Sequence, residues 1–263
     1  MHPILFTIGA FPVGTYGLML TLGFLAGIWL VMRLGRRDQL EPDALADIAV
    51  AVLVGGILGS KLLMIVVDMI HGEPLSEVFS LGTLRAGGAV HGGVILGLLT
   101  FFWRMRKLKL PLDATMDALV PGIALGQAIG RWGCFFAGCC YGTACRLPWA
   151  VTFTSPDISQ GTPLFMPLHP VQLYNSLANF LVVGLLLLIG RRRRFRGQVG
   201  ACYFALEGLG RMITETWRGD LDRGVWLGIS WLSTGRLTGL LFILIGVVLW
   251  IVFQRRRQTP AES

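Results

Sequence analysis

Residues 130–142 read GRWGCFFAGCCYG and directly follow an apolar segment, residues 114–129. The stretch therefore places Arg131 and three cysteines at the end of a segment suited to a membrane. An arginine at membrane depth is costly and normally has a polar partner or faces a water-filled cavity. The glycines allow sharp turns and close approach to a ligand. We therefore expect chemistry at this end of a membrane helix.

The composition is that of an integral membrane protein. Hydrophobic residues make up 54% of the chain and charged residues only 14%, whereas soluble domains carry about 25% charged residues. The extramembrane segments are short, so no separate soluble domain fits. We predict one polytopic membrane domain, residues 1–263, with a small outer head at residues 131–168.

Seven apolar segments approach the length of about 20 residues that crosses a bilayer. They predict an all-α fold, with seven transmembrane helices around a cavity open to the outer leaflet. The segments are residues 14–32, 44–67, 90–103, 114–129, 171–189, 199–216 and 237–253.

Basic clusters predict the orientation of these helices. Lysines and arginines concentrate after the first, third, fifth and seventh segments, at residues 33–37, 104–109, 191–196 and 255–257. The positive-inside rule makes those ends cytoplasmic, so the N-terminus lies outside and the C-terminus inside. The net charge of +8 then reflects topology and attraction to anionic lipid. It does not indicate a nucleic-acid partner, because the clusters flank the spans.

With this orientation, polar residues from six of the seven segments fall in the outer half of the membrane. Such convergence predicts a functional site. The residues are Tyr16, His91, Arg131, His169, Gln172, Tyr174, Arg211, Glu215 and Arg236.

Glu207, Arg211 and Glu215 are spaced by four, which places them on one face of the sixth helix. One interpretation is an ion-pair stripe that satisfies itself. The other, which we favour, is that Arg211 binds an anionic substrate such as a lipid phosphate, because its planar fork donates two parallel hydrogen bonds.

Two histidines have different interpretations. His91 stands between glycine pairs that leave room for a ligand, and its neutral imidazole suits a general base. The alternative is a helix-start histidine bonded to a backbone carbonyl. His169 precedes Pro170, which favours extended backbone and a structural role, with Gln172 as its hydrogen-bonding neighbour.

Four cysteines, Cys134, Cys139, Cys140 and Cys145, lie outside by this topology, where disulfides persist. Their spacing differs from the C-x₂-C of common zinc sites. We expect one or two disulfides among them and no metal. A reactive thiol near Arg131 is the alternative, and a metal site is the remaining one.

The chain resembles the prolipoprotein diacylglyceryl transferase family over nearly its whole length. The likeness rests on five elements in the family's order. They are Tyr16-Gly17-Leu18-Met19, His91-Gly92-Gly93, the Gly130-Arg131-x-Gly133-x-Phe135 signature ending at Gly142, His169-Pro170-x-Gln172-Leu173-Tyr174, and Arg211-x-x-x-Glu215.

The resemblance implies a bacterial inner-membrane enzyme without a cofactor. It implies transfer of the diacylglyceryl group of phosphatidylglycerol to the lipobox cysteine of a preprolipoprotein signal peptide. His91, Arg131 and Arg211 are then the expected catalytic residues. The expected substrate-binding residues are Tyr16, Arg131, Gly142, Gln172, Glu207, Arg211 and Glu215.

Three positions depart from the family pattern. Cys134 replaces an asparagine, Cys139 replaces a glutamate, and Glu207 stands where a tyrosine is usual. These departures leave three alternatives open: a divergent paralogue with another lipid donor or acceptor, a membrane thiol–disulfide protein using Cys139 and Cys140, and a lipid-binding protein without activity.

Overall fold

The fold was analysed in a computed structural model, which describes residues 3–9, 11–72, 88–155, 158, 161–219 and 233–258. These residues contain seven α-helices, and each overlaps one predicted segment. They are α1 (Thr15–Gly35), α2 (Pro42–Ile70), α3 (Val90–Lys107), α4 (Leu112–Ala137), α5 (Val171–Arg191), α6 (Gln198–Thr214) and α7 (Thr234–Gln258).

Four stretches of the described helices are long and apolar enough to cross a membrane: Thr15–Asp38, Pro42–Ile70, Val171–Arg191 and Thr234–Arg256. The other three helices are shorter or more polar. Large apolar side chains are widely exposed on the helices, for example Leu62 at 56% and Leu181 at 61%. Such exposure would be unfavourable in water and suits contact with lipid tails. The prediction of a helical membrane protein is confirmed at this level.

Two small sheets add to the helices. Strands β1 (Ile4–Ile8) and β2 (Phe11–Gly14) form an antiparallel hairpin before α1, and strands β3 (Val151–Thr152) and β4 (Pro167–Leu168) pair antiparallel between α4 and α5. An all-α prediction missed them because the strands are short. The first hairpin depends on a turn at Gly9, whose φ is +59°.

The chain divides into two compact units, Met1–Val31 with Met116–Ser263, and Met32–Thr115. In the second unit, α2 packs on α3 through glycines. A Cβ on Gly55 would lie 2.5 Å from the Thr100 hydroxyl oxygen, and Arg104 forms an ion pair with Asp47. Small residues allow such close approach of helices in a membrane. The prediction of one domain with an inserted head stays a prediction.

In the first unit, α1 packs on α4 and α6 packs on α7, again through glycines. A Cβ on Gly23 would lie 2.8 Å from the Gly126 carbonyl oxygen, and one on Gly208 would lie 2.5 Å from the Gly239 carbonyl oxygen. Helix α5 is joined to α4 by a hydrogen bond that the buried Ser176 hydroxyl donates to the Ala128 carbonyl at 2.8 Å. These contacts fix the helices that carry the candidate site.

Helix α4 is longer than predicted at its end. Residues 131–137, predicted as the start of the outer head, continue the helix to Ala137. The rings of Trp132, Phe135 and Phe136 contact one another at centroid distances of 5.9–6.3 Å. This aromatic packing continues on to Phe153 of β3, 6.4 Å from Phe135. Arg131 and Cys134 are therefore positioned by a helix.

Candidate active site

Arg131, Glu207 and Arg211 form the charged centre of the first unit. Arg131 lies on α4, while Glu207 and Arg211 lie one turn apart on α6. All three are partly buried. Both guanidinium groups stabilise the negative charge of the Glu207 carboxylate. The three groups together carry one positive charge, which favours an anionic ligand.

Tyr203 and Gln127 adjoin this centre and were not predicted. Tyr203, one turn before Glu207, is 4% exposed, and its ring oxygen donates to Gln127 Oε1 at 3.4 Å. Its hydroxyl is close enough to Glu207 to interact with the carboxylate electrostatically. A tyrosine four residues before a membrane-embedded glutamate is a signal that sequence reasoning had available and did not use.

Tyr16 lies beside the other end of the centre. It is 43% exposed at the start of α1, and its hydroxyl interacts electrostatically with Arg131 and with the thiols of Cys134, Cys139 and Cys140. A Cβ on Gly133 would lie 3.2 Å from the Tyr16 ring, so the signature glycine lets α1 approach α4 here.

Three cysteines form a cluster at the end of α4, which we call the thiol cluster: Cys134, Cys139 and Cys140. Their sulfur atoms all lie within 4.8 Å of one another. The Cys139 thiol also points to the Cys134 carbonyl, at 3.8 Å. All five cysteines of the chain are free thiols in the structure, and Cys145 lies outside the cluster. Disulfides among Cys134, Cys139, Cys140 and Cys145 stay a prediction.

The Cys140 thiol has a lowered pKa. The causes are hydrogen bonds to Cys134 first and to Cys139 second, followed by the positive charges of Arg218 and Arg131, and together they outweigh desolvation. Hydrogen bonds and cations that favour the charged form lower a thiol pKa. The cluster therefore stabilises negative charge on sulfur.

Gln172 supports the turn that carries the thiol cluster. The side chain is fully buried at the start of α5, and Nε2 donates to the Cys139 carbonyl at 2.8 Å. The prediction that Gln172 bonds His169 is wrong, because its donor is used by Cys139. His169 instead meets Tyr174, with 3.2 Å between His169 Nδ1 and the Tyr174 hydroxyl.

Tyr174 and His169 belong to an aromatic cluster with Trp149 and Trp217. The Trp149 indole donates to the Tyr174 hydroxyl at 2.8 Å, and the Trp217 ring lies 5.8 Å from Tyr174 and 6.4 Å from His169. The structural role predicted for His169 agrees with this packing.

Gly142 lies where two loops meet the start of α5. It pairs with Arg218 as an isolated β-bridge, and its amide donates to the His169 carbonyl at 3.2 Å. A Cβ there would lie 2.5 Å from that oxygen and 2.6 Å from Val171 Cγ2. The glycine is needed for this close approach, so its observed contacts are structural.

Glu215 is separated from the other acidic and basic groups of α6 by the end of the helix. Helix α6 ends at Thr214, and Glu215 begins a 3₁₀ turn, Glu215–Trp217. Its carboxylate accepts a hydrogen bond from the Ser233 hydroxyl at 3.0 Å, just before α7 begins. A carboxylate is favourable at a helix N-terminus. The spacing of four therefore did not place Glu215 on the helical face of Glu207.

His91 lies in the second unit, in the first turn of α3, with its side chain exposed. Its helix start is fixed by the Ala89 amide, which donates to the Ser60 carbonyl at 2.9 Å. The next residue, Gly92, packs against α2, where a Cβ would lie 2.5 Å from Leu63 Cβ. The His-Gly-Gly element is thus a tight helix contact that leaves the imidazole exposed.

Comparison with known proteins agrees with this arrangement. The family model described as prolipoprotein diacylglyceryl transferase matches residues 3–252. A phosphatidylglycerol–prolipoprotein diacylglyceryl transferase of Clostridium tetani is 35% identical over 98% of this chain and 100% of its own length. Proteins of the same name from Gloeobacter violaceus and Finegoldia magna are 34% and 31% identical over 98% and 97% of this chain, and over 96% and 97% of their own lengths. The chain belongs to the prolipoprotein diacylglyceryl transferase family.

Proposed function

We propose that this protein transfers the diacylglyceryl group of phosphatidylglycerol to the cysteine thiol of a prolipoprotein, the first step of lipoprotein maturation. The names of the relatives describe this reaction for those proteins. The observation that carries the proposal here is the convergence of Arg131 and Arg211 on Glu207.

The two arginines suit the donor lipid. A guanidinium group binds a phosphate through two parallel hydrogen bonds, and Arg131 and Arg211 come from different helices. In the reaction, the acceptor sulfur forms a bond to the glyceryl carbon, and the bond from that carbon to the phosphate oxygen breaks. The arginines would stabilise the charge that develops on the departing glycerol phosphate.

Two further groups have proposed roles. His91 would accept the proton of the acceptor thiol, since a neutral imidazole suits this task near neutral pH. Glu207 would hold the two arginines apart and orient them, because its carboxylate interacts with both guanidinium groups. Tyr16 and Gln172 would position the substrates from the side of the thiol cluster.

We also propose seven transmembrane spans in the bacterial inner membrane, with the N-terminus outside. The seven described helices and the basic residues at the ends of α1, α3, α5 and α7 support this topology. A two-tailed lipid and a signal peptide would then both enter the site from the bilayer.

The test is a transfer assay in detergent with phosphatidylglycerol and a synthetic lipobox peptide, read by mass spectrometry. We expect the peptide to gain one diacylglyceryl group. Arg131→Ala and Arg211→Ala should each lower kcat/KM about 10²–10³-fold, because each removes a group that stabilises developing charge.

The matched control is Arg146→Ala, which removes an exposed arginine of the outer head and should leave the rate unchanged. Normal turnover by either Arg131→Ala or Arg211→Ala would refute the assignment. Transfer from another glycerophospholipid but not from phosphatidylglycerol would show a changed donor. Loss of all activity on Cys139→Ser and Cys140→Ser, with the arginine variants active, would favour a thiol–disulfide protein.

A further inference from the structure

The thiol cluster is the feature of the site that the transferase proposal leaves unexplained. Two of its members occupy positions where the family pattern has asparagine and glutamate, Cys134 and Cys139. A transfer between a lipid and a thiol needs no cysteine from the enzyme. Yet three sulfur atoms lie within 4.8 Å of one another, beside Tyr16 and Arg131.

The backbone is shaped to bring these sulfurs together. Gly138 has φ +78° and ends α4, and a Cβ there would lie 2.9 Å from Ile158 Cβ. Cys140 has φ +60°, a conformation that residues other than glycine rarely adopt and that costs free energy. This left-handed residue lets the neighbouring Cys139 and Cys140 both reach Cys134 on the preceding helix.

The turn is further held from α5. The Cys139 carbonyl accepts a hydrogen bond from Gln172, whose side chain is fully buried. An unusual backbone conformation that its surroundings hold in place is a common feature of functional sites. Sequence spacing alone argued against a metal site, because it could not reveal this turn.

Three sulfurs at this separation fit a soft metal ion. A tetrahedral zinc ion with Zn–S bonds of about 2.3 Å places two sulfurs about 3.8 Å apart, so side-chain rotations of about 1 Å would close the cluster. Arg131 and Arg218, which lower the pKa of the Cys140 thiol, would offset the negative charge of three thiolates. Three protein ligands leave a fourth position, as in catalytic zinc sites.

We propose that Cys134, Cys139 and Cys140 bind one zinc ion, whose fourth position takes the acceptor thiol. The second half of this inference rests on the proposed transferase function. The acceptor thiol would displace water from zinc and release its proton to solvent, since a thiol that coordinates zinc is deprotonated. The resulting thiolate would attack the glyceryl carbon as glycerol phosphate leaves, with no change in oxidation state.

The metal site is tested with the full chain, purified in detergent without oxygen and with a phosphine reductant. The protein is incubated with zinc chloride, separated from unbound metal, and analysed for zinc and for free thiols. We expect one zinc per chain. Serine in place of any cluster cysteine should weaken zinc binding at least about 100-fold, more than is typical for removing a supporting residue.

Cys145→Ser and Cys202→Ser are matched controls, because both remove free cysteines outside the cluster, and both should retain zinc. Substitution of zinc by Co²⁺ in the unmutated protein should give the intense visible bands of a four-coordinate, sulfur-ligated ion. Absence of zinc in protein with five free thiols would overturn the proposal. Equal zinc content in the cluster variants, or a disulfide within the cluster of anaerobically purified protein, would also overturn it.

The role of the fourth position has a separate readout. A lipobox peptide added to the Co²⁺ protein should shift the visible bands, while the same peptide with serine in place of cysteine should not. Identical spectra with both peptides would refute thiol activation. Failure of transfer with a normal Co²⁺ spectrum would refute the transferase function and leave the metal site standing.

Discussion

Asp117→Ala should strongly destabilise the protein. Asp117 lies near the start of α4, and its side chain is 1% exposed. One carboxylate oxygen accepts from Arg193 Nη1 at 3.1 Å and from the Gly197 amide at 2.8 Å, and the other accepts from the Gly200 amide at 2.9 Å. Removal of the carboxylate leaves these two buried amides without their acceptor.

The expected loss can be estimated from these contacts. Each buried donor that loses its acceptor costs about 1–3 kcal/mol. The Arg193 side chain is 23% exposed, so it can turn to water and adds little. The two amides together predict a loss of about 4 kcal/mol, within the range of about 3–5 kcal/mol for breaking a buried pair. Asp117→Asn keeps one acceptor oxygen and should lose about half as much.

The assay is equilibrium unfolding in mixed detergent micelles, with the free energy compared between variants. Asp43→Ala is the control, because Asp43 is an exposed aspartate in the first turn of α2 and should cost about 1 kcal/mol or less. A loss below about 1 kcal/mol in Asp117→Ala would refute the reasoning, since it would mean that the buried amides find other acceptors.

Two further predictions concern the outer loop and the topology. Gly142→Ala places a methyl group 2.5 Å from the His169 carbonyl oxygen and should cost about 1–3 kcal/mol by overpacking, whereas Gly17→Ala, with no atom within 4 Å of the added carbon, should be neutral in the same unfolding assay; equal effects would contradict the packing argument. Green fluorescent protein fused after residue 258 should fluoresce, and alkaline phosphatase fused after residue 146 should be active, because these positions lie inside and outside by the positive-inside rule; the reverse pattern would refute the orientation.

The sequence predicted the seven helices well because each is marked by a long apolar run. The observed limits of α5, Val171–Arg191, differ from the predicted 171–189 by two residues at one end. The end of α4 was missed because residues 131–137 contain an arginine and a cysteine among aromatic residues. There the helix is continued by ring packing, which a hydropathy pattern does not show.

The candidate site was predicted in part. Arg131, Glu207 and Arg211 were found from charge at membrane depth, and the structure places them together in one unit. The thiol cluster was missed because it depends on the left-handed backbone of Cys140. The partners of Gln172 and Glu215 were also missed, since both are set by residues distant in the chain, Cys139 and Ser233.

Asp117 and the arginine pair are connected through helix geometry. Arg131 follows Asp117 by fourteen positions on α4, and Arg211 follows Gly197 by fourteen positions at and beyond the start of α6. Fourteen helical residues span about 21 Å. The two helices are joined at one end by Asp117 and meet again at the other end where Arg131 approaches Glu207, so they run parallel and in register.

This register explains why a buried carboxylate far from the arginines matters for activity. Without Asp117, α6 can slide or rotate relative to α4, and a shift of one residue moves Arg211 by about 1.5 Å along the axis and about 100° around it. A misplacement of about 1 Å can cost about 10²-fold in rate. We therefore expect Asp117→Asn, even where it remains folded, to lower kcat/KM for transfer, with Asp43→Ala unaffected. Full activity in a folded Asp117→Asn protein would show that the arginines are positioned by other contacts.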